Sequence, residues 1–434
     1  MTRQGITFSD RHVACMSPFD VARADLQAIF AAALQAVNGR RRTADFLSAH
    51  SPTRPVCLIA TGKAAAAMAT GAVDVLGDRL RRALVVTKPE HLGCALANDP
   101  RFTCLEAAHP LPDQRSLAAG DVLIRFLECA PDDAELLFLI SGGTSSLVEV
   151  LPAGVTLATL QKVNHWLLGS GLPIGEINRI RQALSCIKGG RLANSLGGRD
   201  TRVLMISDVP GDDPAIIGSG LLYPAEAGPV VIPGLPRWLG ALLARCGAGR
   251  DADVIRHGAV AHYVIARLED ALEAAAAHAR SLGYPATLIT ARLVGDVVAA
   301  GRAIVDYLAD KAPGIYIRGG EPTVKLPEQP GRGGRCQSLA LAAAQEMRRH
   351  EPFVLLAAGT DGTDGPGSAA GAVVDPETIS RGNACGLDAR HCVDAADAGS
   401  YLAASGDLVV TGPTGTNVTD VVVALKLNHT KAVA

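Results

Sequence analysis

Short apolar runs in this chain keep ending in clusters of glycine, serine, threonine and aspartate, and several of those clusters open into alanine- or leucine-rich stretches of helical length. Pro55 to Ala60 runs into Thr61-Gly62-Lys63 and an alanine run through Ala69. Leu136 to Ile140 runs into Ser141-Gly142-Gly143-Thr144-Ser145-Ser146, and Phe353 to Ala358 into Gly359-Thr360-Asp361-Gly362-Thr363-Asp364. A repeated strand, glycine turn and helix constrain the chain to an α/β fold, in which ligands sit beyond the carboxyl ends of the strands.

At 434 residues the chain exceeds what one core usually organises, so two or three domains are expected. The proline- and glycine-rich stretch from Tyr223 to Pro236 places a boundary there, giving domains 1–235 and 236–434. Beyond it, strands at Tyr263 to Ala266, Ala286 to Thr290 and Ile315 to Ile317 alternate with helices at Leu268 to Leu282 and Leu293 to Leu308, which reads as a second α/β domain. At the other end, Ser17-Pro18 starts a helix whose apolar face includes Leu26, Ile29 and Phe30, with Gly39 placed to end it.

The strand-end loops carry the candidate chemistry. Lys63 follows a strand and a glycine, although the GxxxxGK[ST] spacing of a phosphate-binding P-loop is absent. The glycines and hydroxyls of Ser141, Gly142, Gly143, Thr144 and Ser145 are suited to an anion nest. His109, between Ala108 and Pro110, is held extended and could equally be a loop histidine fixed by its prolines. Asp208 ends the strand Val203 to Ile206 and is the candidate carboxylate of the first half. In the second half, Gly333-Gly334-Arg335 precedes a helix read from Ser338 to Arg349, which puts a cation and bare amides at a helix N-terminus and makes it an anion site. Glu321, Asp361 and Asp364 are candidates for a metal ion, and Thr416-Asn417 closes one more polar loop. Asn178, Arg181 and Lys188 fall in a basic segment that by itself reads as a solvated face.

Two domains whose strand ends face each other make a polar cleft. Lined with glycine amides, Lys63, Arg335 and aspartates, that cleft fits phosphoryl transfer, which asks mainly for charge neutralisation and alignment. A net charge of −2 and the lack of a Lys/Arg run interleaved with aromatics argue against nucleic acid. Ten cysteines without zinc-like or disulfide spacing suit a reducing compartment, and no 18-residue uncharged apolar run suggests a membrane span, so a cytoplasmic enzyme is expected.

The motifs SGGTSSL (141–147), IKGGRLA (187–193), ISDVPGDDPAIIGSG (206–220), GGEPTV (319–324), GRGGRCQ (331–337), GTDGTDGPGSAAGA (359–372) and GPTGTNVTD (412–420), in this order, resemble those of the glycerate 2-kinases with a MOFRL C-terminal domain. The resemblance covers nearly the whole chain. It implies a larger Rossmann-like N-terminal domain, a smaller C-terminal one and an active site between them. It also implies an ATP- and Mg²⁺-dependent kinase converting D-glycerate to 2-phosphoglycerate. Carried over to this sequence, the catalytic candidates are Lys63, Asp208 and Arg335. Phosphate and substrate contacts fall to the 141–145 loop, Asn178, Arg181, Lys188, Thr416 and Asn417, and metal contacts to Glu321, Asp361 and Asp364. The partners implied are small molecules, with room for a homo-oligomer. Gln182-Ala183, Cys186 and Cys336 depart from the family pattern, which leaves a related hydroxy or sugar acid as an alternative substrate. Relatives carrying the label hydroxypyruvate reductase make an NAD(P)H oxidoreductase the rival class. The early turn Ala60-Thr61-Gly62-Lys63 lacks the GxGxxG fingerprint that class requires.

Overall fold

The computed structural model describes residues 17–224, 230, 232–247, 260–347 and 352–428. Its strands are β1 (Val56–Thr61), β2 (Leu80–Thr87), β3 (Phe102–Glu106), β4 (Glu135–Ile140), β5 (Thr201–Ile206), β6 (Val260–Ala266), β7 (Ala286–Leu288), β8 (Gly314–Gly320), β9 (Phe353–Gly359), β10 (Gly371–Val374), β11 (Leu408–Val409) and β12 (Asp420–Lys426). They form two six-stranded sheets.

The first sheet is parallel throughout, in the order β3-β2-β1-β4-β5-β6. β1 and β4 are fully buried, and their continuous apolar sequences reflect a sheet covered on both faces. This is the doubly wound order, and the winding reverses between β1 and β4. The crevice at that switch point is where such sheets take ligands.

The second sheet runs β11-β10-β9-β12-β8-β7 and is mostly antiparallel, with only β7 and β8 parallel. β12 lies between β8 and β9, so Asp420 sits level with Gly320 and Gly359. That register gathers the 360–364 loop and the residues around Glu321 and Asp420 at one end of the sheet.

Three local expectations change. The run Tyr263 to Ala266, read as opening the second domain, belongs to β6 at the edge of the first sheet, beside β5. The helix Pro18–Ala36 begins with the expected cap, Ser17 Oγ accepting from Asp20 N at 3.2 Å. Gly39 does not end it: Asn38 caps a further helix, Gly39–Ala49, and Gly39 lies where its added Cβ would meet Gly415 O at 2.7 Å. The helix read from Ser338 to Arg349 starts earlier, at Arg335, and is described to Met347; Arg349 lies outside the described residues.

The two sheets share one core. Leu26, Ile29 and Phe30 of the Pro18–Ala36 helix join Leu58 and Met68 from the first lobe to Ile315, Leu356 and Val423 from the second. Arg23 of the same helix pairs with Asp375 at 2.5 Å and Asp407 at 2.8 Å. An N-terminal segment therefore packs on the C-terminal sheet and holds the lobes together. Among the described residues, no helix is long and apolar enough to cross a membrane.

Candidate active site

The switch point is built from the loops that follow β1 and β4. Gly62 has φ +120°, and a Cβ there would stand 2.2 Å from Ser141 Oγ, so only glycine allows the two loops to touch. Ser141 Oγ accepts from Ala64 N at 3.0 Å, and Lys63 N donates to Gly142 O at 2.9 Å. Thr144 Oγ1 lies 2.9 Å from Thr61 O and 2.7 Å from Ser141 O. The hydroxyls of Ser141 and Thr144, read from the sequence as anion donors, are therefore engaged in clamping the loops together.

The neighbouring glycines are bare because side chains press on them. A Cβ on Gly142 would lie 1.8 Å from Asp208 Oδ2 and 2.1 Å from Asn417 Nδ2. One on Gly143 would lie 3.1 Å from His109 Cδ2 and 3.3 Å from Lys63 Cγ. Asp208, Asn417, His109 and Lys63 thus converge on two residues without side chains. Asn417 Nδ2 donates to Asp208 Oδ2 at 3.0 Å, which brings the second lobe's 411–417 loop onto the first lobe's carboxylate.

Charge in the cleft is unevenly matched. Lys63 Nζ pairs with Asp361 Oδ2 at 2.7 Å, and Asp361 also accepts from Thr363 N and Oγ1. Burial is the largest single influence and works against both charges, but the partner's charge, the hydrogen bonds and the neighbouring charges together outweigh it: the Lys63 pKa is raised and Asp361 is held at about 2. Asp208 goes the other way, pushed up to about 6 by desolvation, with Lys63 opposing and Glu321 reinforcing the shift. His109 is pushed down to about 3 by burial and by the cations Lys63 and Lys88, so its imidazole is neutral near pH 7. Lys88, just past β2, donates to Thr363 Oγ1 at 3.1 Å, and burial lowers its pKa.

On the second lobe, Arg335 grips Asp420 with two nitrogens, Nε at 2.5 Å and Nη2 at 3.1 Å, while Nη1 reaches Glu321 at 2.7 Å. This fork against a carboxylate is the geometry a guanidinium favours. Its pKa is raised: burial lowers it, and the charge and hydrogen bond of Asp420 together with the charge of Glu321 outweigh that. The expectation that the Arg335–Met347 helix presents a free anion site is corrected here. Asp364 occupies that end, accepting from Cys336 N at 3.0 Å and Gln337 N at 2.8 Å. Burial and the nearby Asp420 push Asp364 up to about 6.

The three residues expected to hold a metal ion, Glu321, Asp361 and Asp364, are not brought together. Each is engaged separately, with Arg335, Lys63 and the helix amides respectively. Among the described residues, no three His, Cys, Asp or Glu side chains gather as a cation site.

The remaining expected contacts divide. Ser145 Oγ lies 2.9 Å from Ser219 Oγ, which in turn donates to Asn178 Oδ1 at 2.9 Å. Arg181 Nε donates to Asn164 Oδ1 at 3.3 Å, and burial lowers its pKa. Lys188 is not on a solvated face: it is buried in an ion pair with Glu149. Thr416 Oγ1 donates to Val37 O at 2.6 Å and ties its loop to the N-terminal helix. Sequence reasoning missed Lys88, Asp420 and Glu149. Lys88 had the same signal as Lys63, a cation just past a strand, and Asp420 stands one residue before the strand read from Val421.

A cavity of about 220 Å³ adjoins this cluster and is also lined by Lys63. It lies between the Ala65–Leu76 helix and the Pro413–Gly415 turn.

Residues 25–229 match the model of a domain of unknown function, DUF4147, and residues 314–420 match that of the MOFRL family. A D-glycerate 2-kinase of Thermotoga maritima is 35% identical over 380 residues, covering 85% of this chain and 90% of its own. An Agrobacterium vitis protein that bears a hydroxypyruvate reductase name is 36% identical over 92% of this chain and 93% of its own. Among solved structures, a glycerate kinase from Thermotoga maritima superposes with a TM-score of 0.78 at 32% identity, covering 94% of this chain and all of that one.

Proposed function

The chain belongs to the glycerate 2-kinase family, and we propose that it transfers the γ-phosphoryl group of ATP to the 2-hydroxyl of D-glycerate, giving 2-phosphoglycerate and ADP. The observation that carries the reading is Asp208. Its carboxyl is pressed against the bare Gly142, held by Asn417, pushed up to about 6, and flanked by Lys63. A base poised near neutral pH next to a cation is what an alcohol acceptor and a phosphoryl donor require.

In this mechanism Asp208 accepts the 2-hydroxyl proton as the new oxygen–phosphorus bond forms and the bond to the ADP oxygen breaks. Lys63, fixed by Asp361, neutralises charge on the transferring group. Arg335 supplies a second cation from the other lobe, its Asp420-facing side anchored and its Glu321-facing side exposed to exchange for a substrate anion. A Mg²⁺ ion accompanying the nucleotide would supply further charge neutralisation on the phosphates; among the described residues Glu321, Asp361 and Asp364 do not form a joint ligand set for it.

The first unit, expected to end at residue 235, extends in this reading through β6 to Ala266, and the second begins with the Leu268–Ser281 helix, which packs against β7 and β8. The enzyme works in the cytoplasm.

The test is incubation with D-glycerate, ATP and Mg²⁺, following ADP release and resolving 2- from 3-phosphoglycerate. Formation of 2-phosphoglycerate is the expected result. NADH oxidation by hydroxypyruvate in a parallel assay, without ADP release from glycerate, would overturn the assignment in favour of a reductase.

A further inference from the structure

The cavity beside Lys63 has a chemistry unlike the rest of the site. Its walls are Ala67 and Thr70 on the Ala65–Leu76 helix, His91 and Leu96 beyond β2, and Pro413 from the second lobe. The Thr70 hydroxyl is already bonded within its own helix, to Ala66 O at 2.8 Å, and among the described residues no carboxylate lines the space. Gly415 closes one side so tightly that a Cβ there would stand 2.8 Å from Ala67 Cβ. His91 is anchored by Nδ1, 3.1 Å from Lys63 O, which fixes its ring beside the cavity.

A small hydroxy acid carries a carboxylate and two hydroxyls, and apart from Lys63 and His91 the side chains of the walls, alanines, Leu96 and Pro413 with the Thr70 hydroxyl already bonded, would strip their hydration without replacing it. A flat heteroaromatic ring has the opposite needs: apolar faces, a neighbouring ring and few polar partners. At about 220 Å³ the cavity is smaller than the roughly 300–1,000 Å³ that accommodates a whole drug-sized ligand, and it suits one ring system with the remainder of the molecule leaving through its mouth. Lys63 lines the cavity and also belongs to the charged cluster, so a chain of phosphates leaving the cavity would meet it first.

We infer that this cavity holds the base of the nucleoside triphosphate donor, with the phosphates running over Lys63 toward Asp208. The inference rests on the kinase reading and adds to it the location of the nucleotide. Because Pro413 and Gly415 come from the second lobe and the helix from the first, the bound base touches both. Donor binding then also favours the arrangement in which the two lobes meet at this cavity.

The experiment pairs a cavity-filling variant, Thr70→Phe, with photolabelling of the unmodified protein by 8-azido-ATP. Thr70→Phe is expected to raise the KM for ATP about tenfold or more while the KM for D-glycerate stays within about twofold. The label is expected in peptides containing residues 63–70, 91–96 or 411–415, and excess ATP should prevent it. An unchanged KM for ATP in a folded variant, or protectable label confined to other peptides, overturns the cavity assignment and leaves the kinase reading standing. If Thr70→Phe does not fold, the label position decides. Absence of both ADP release from D-glycerate and protectable labelling in the unmodified protein overturns the kinase reading and this inference together.

Discussion

The helices Ala65–Leu76 and Arg335–Met347 begin alike in sequence: a glycine turn, a cation and an alanine-rich run. In the folded chain their starts have opposite fates. At the first, Ala64 N meets only the neutral Ser141 hydroxyl, and Lys63 stands between the cavity and the charged cluster. At the second, the carboxylate of Asp364 covers the amides of Cys336 and Gln337, and Arg335 is clasped by Asp420 and Glu321. Unpaired amides at a helix start attract an anion in both cases. What differs is whether the fold supplies the anion itself or leaves the place to a ligand.

That contrast can be broken most decisively at the open end. Asp208→Asn should lower turnover by about 10²–10⁴, the usual contribution of a positioned proton acceptor. In the unmodified enzyme the rate should fall as pH drops through about 6, because protonated Asp208 cannot accept the hydroxyl proton. Loss of that acid limb in a pH–rate profile of residual Asp208→Asn activity would tie it to this residue, whereas near-normal turnover would remove Asp208 from the mechanism.

Lys63→Met should cost about 10²–10³ in kcat, comparable to removing one preorganised charge-stabilising group. It also strands Asp361, which is buried, so the variant should be less stable. Adding Asp361→Asn should restore the urea midpoint without restoring turnover. Recovery of both would mean that Lys63 acts only as a structural partner of Asp361.

At the closed end the effect should be on stability. Asp364→Ala uncovers two amide donors of the helix and should cost about 1–2 kcal/mol in a urea titration. An unmoved midpoint, together with a raised Mg²⁺ requirement, would instead make Asp364 a metal ligand.

The smallest effect is expected at Glu321→Gln. The Glu321 charge helps to raise Asp208, so its removal should move the acid limb to lower pH, toward the ordinary aspartate range. A limb that stays in place would show that Glu321 is electrically remote from the proton acceptor.

Much of this architecture was legible in the sequence because its signals are local. β1, β4, β5 and β9 were readable as apolar runs, and the turns after them as glycine and aspartate clusters. The placement of β6 was not legible, since a strand looks the same whichever sheet it joins. The basic segment misled in a similar way: nothing local distinguishes a solvated lysine from Lys188, whose charge is buried against Glu149. Lys63 and Arg335 could be picked out as cations at helix starts, but their counter-charges could not.

The sequence by itself determined that this is an α/β chain with polar loops at its strand ends, because hydrophobic periodicity and turn chemistry act over a few residues. Tertiary structure decided which of those loops meet and which charges remain free for a ligand. Lys63 and Asp361 are 298 positions apart, and Arg335 and Asp420 are 85 apart. The pKa values of Asp208 and His109 exist only once burial and those distant charges are in place. A pattern in the chain can name a group capable of chemistry, but its protonation state is a property of the space around it.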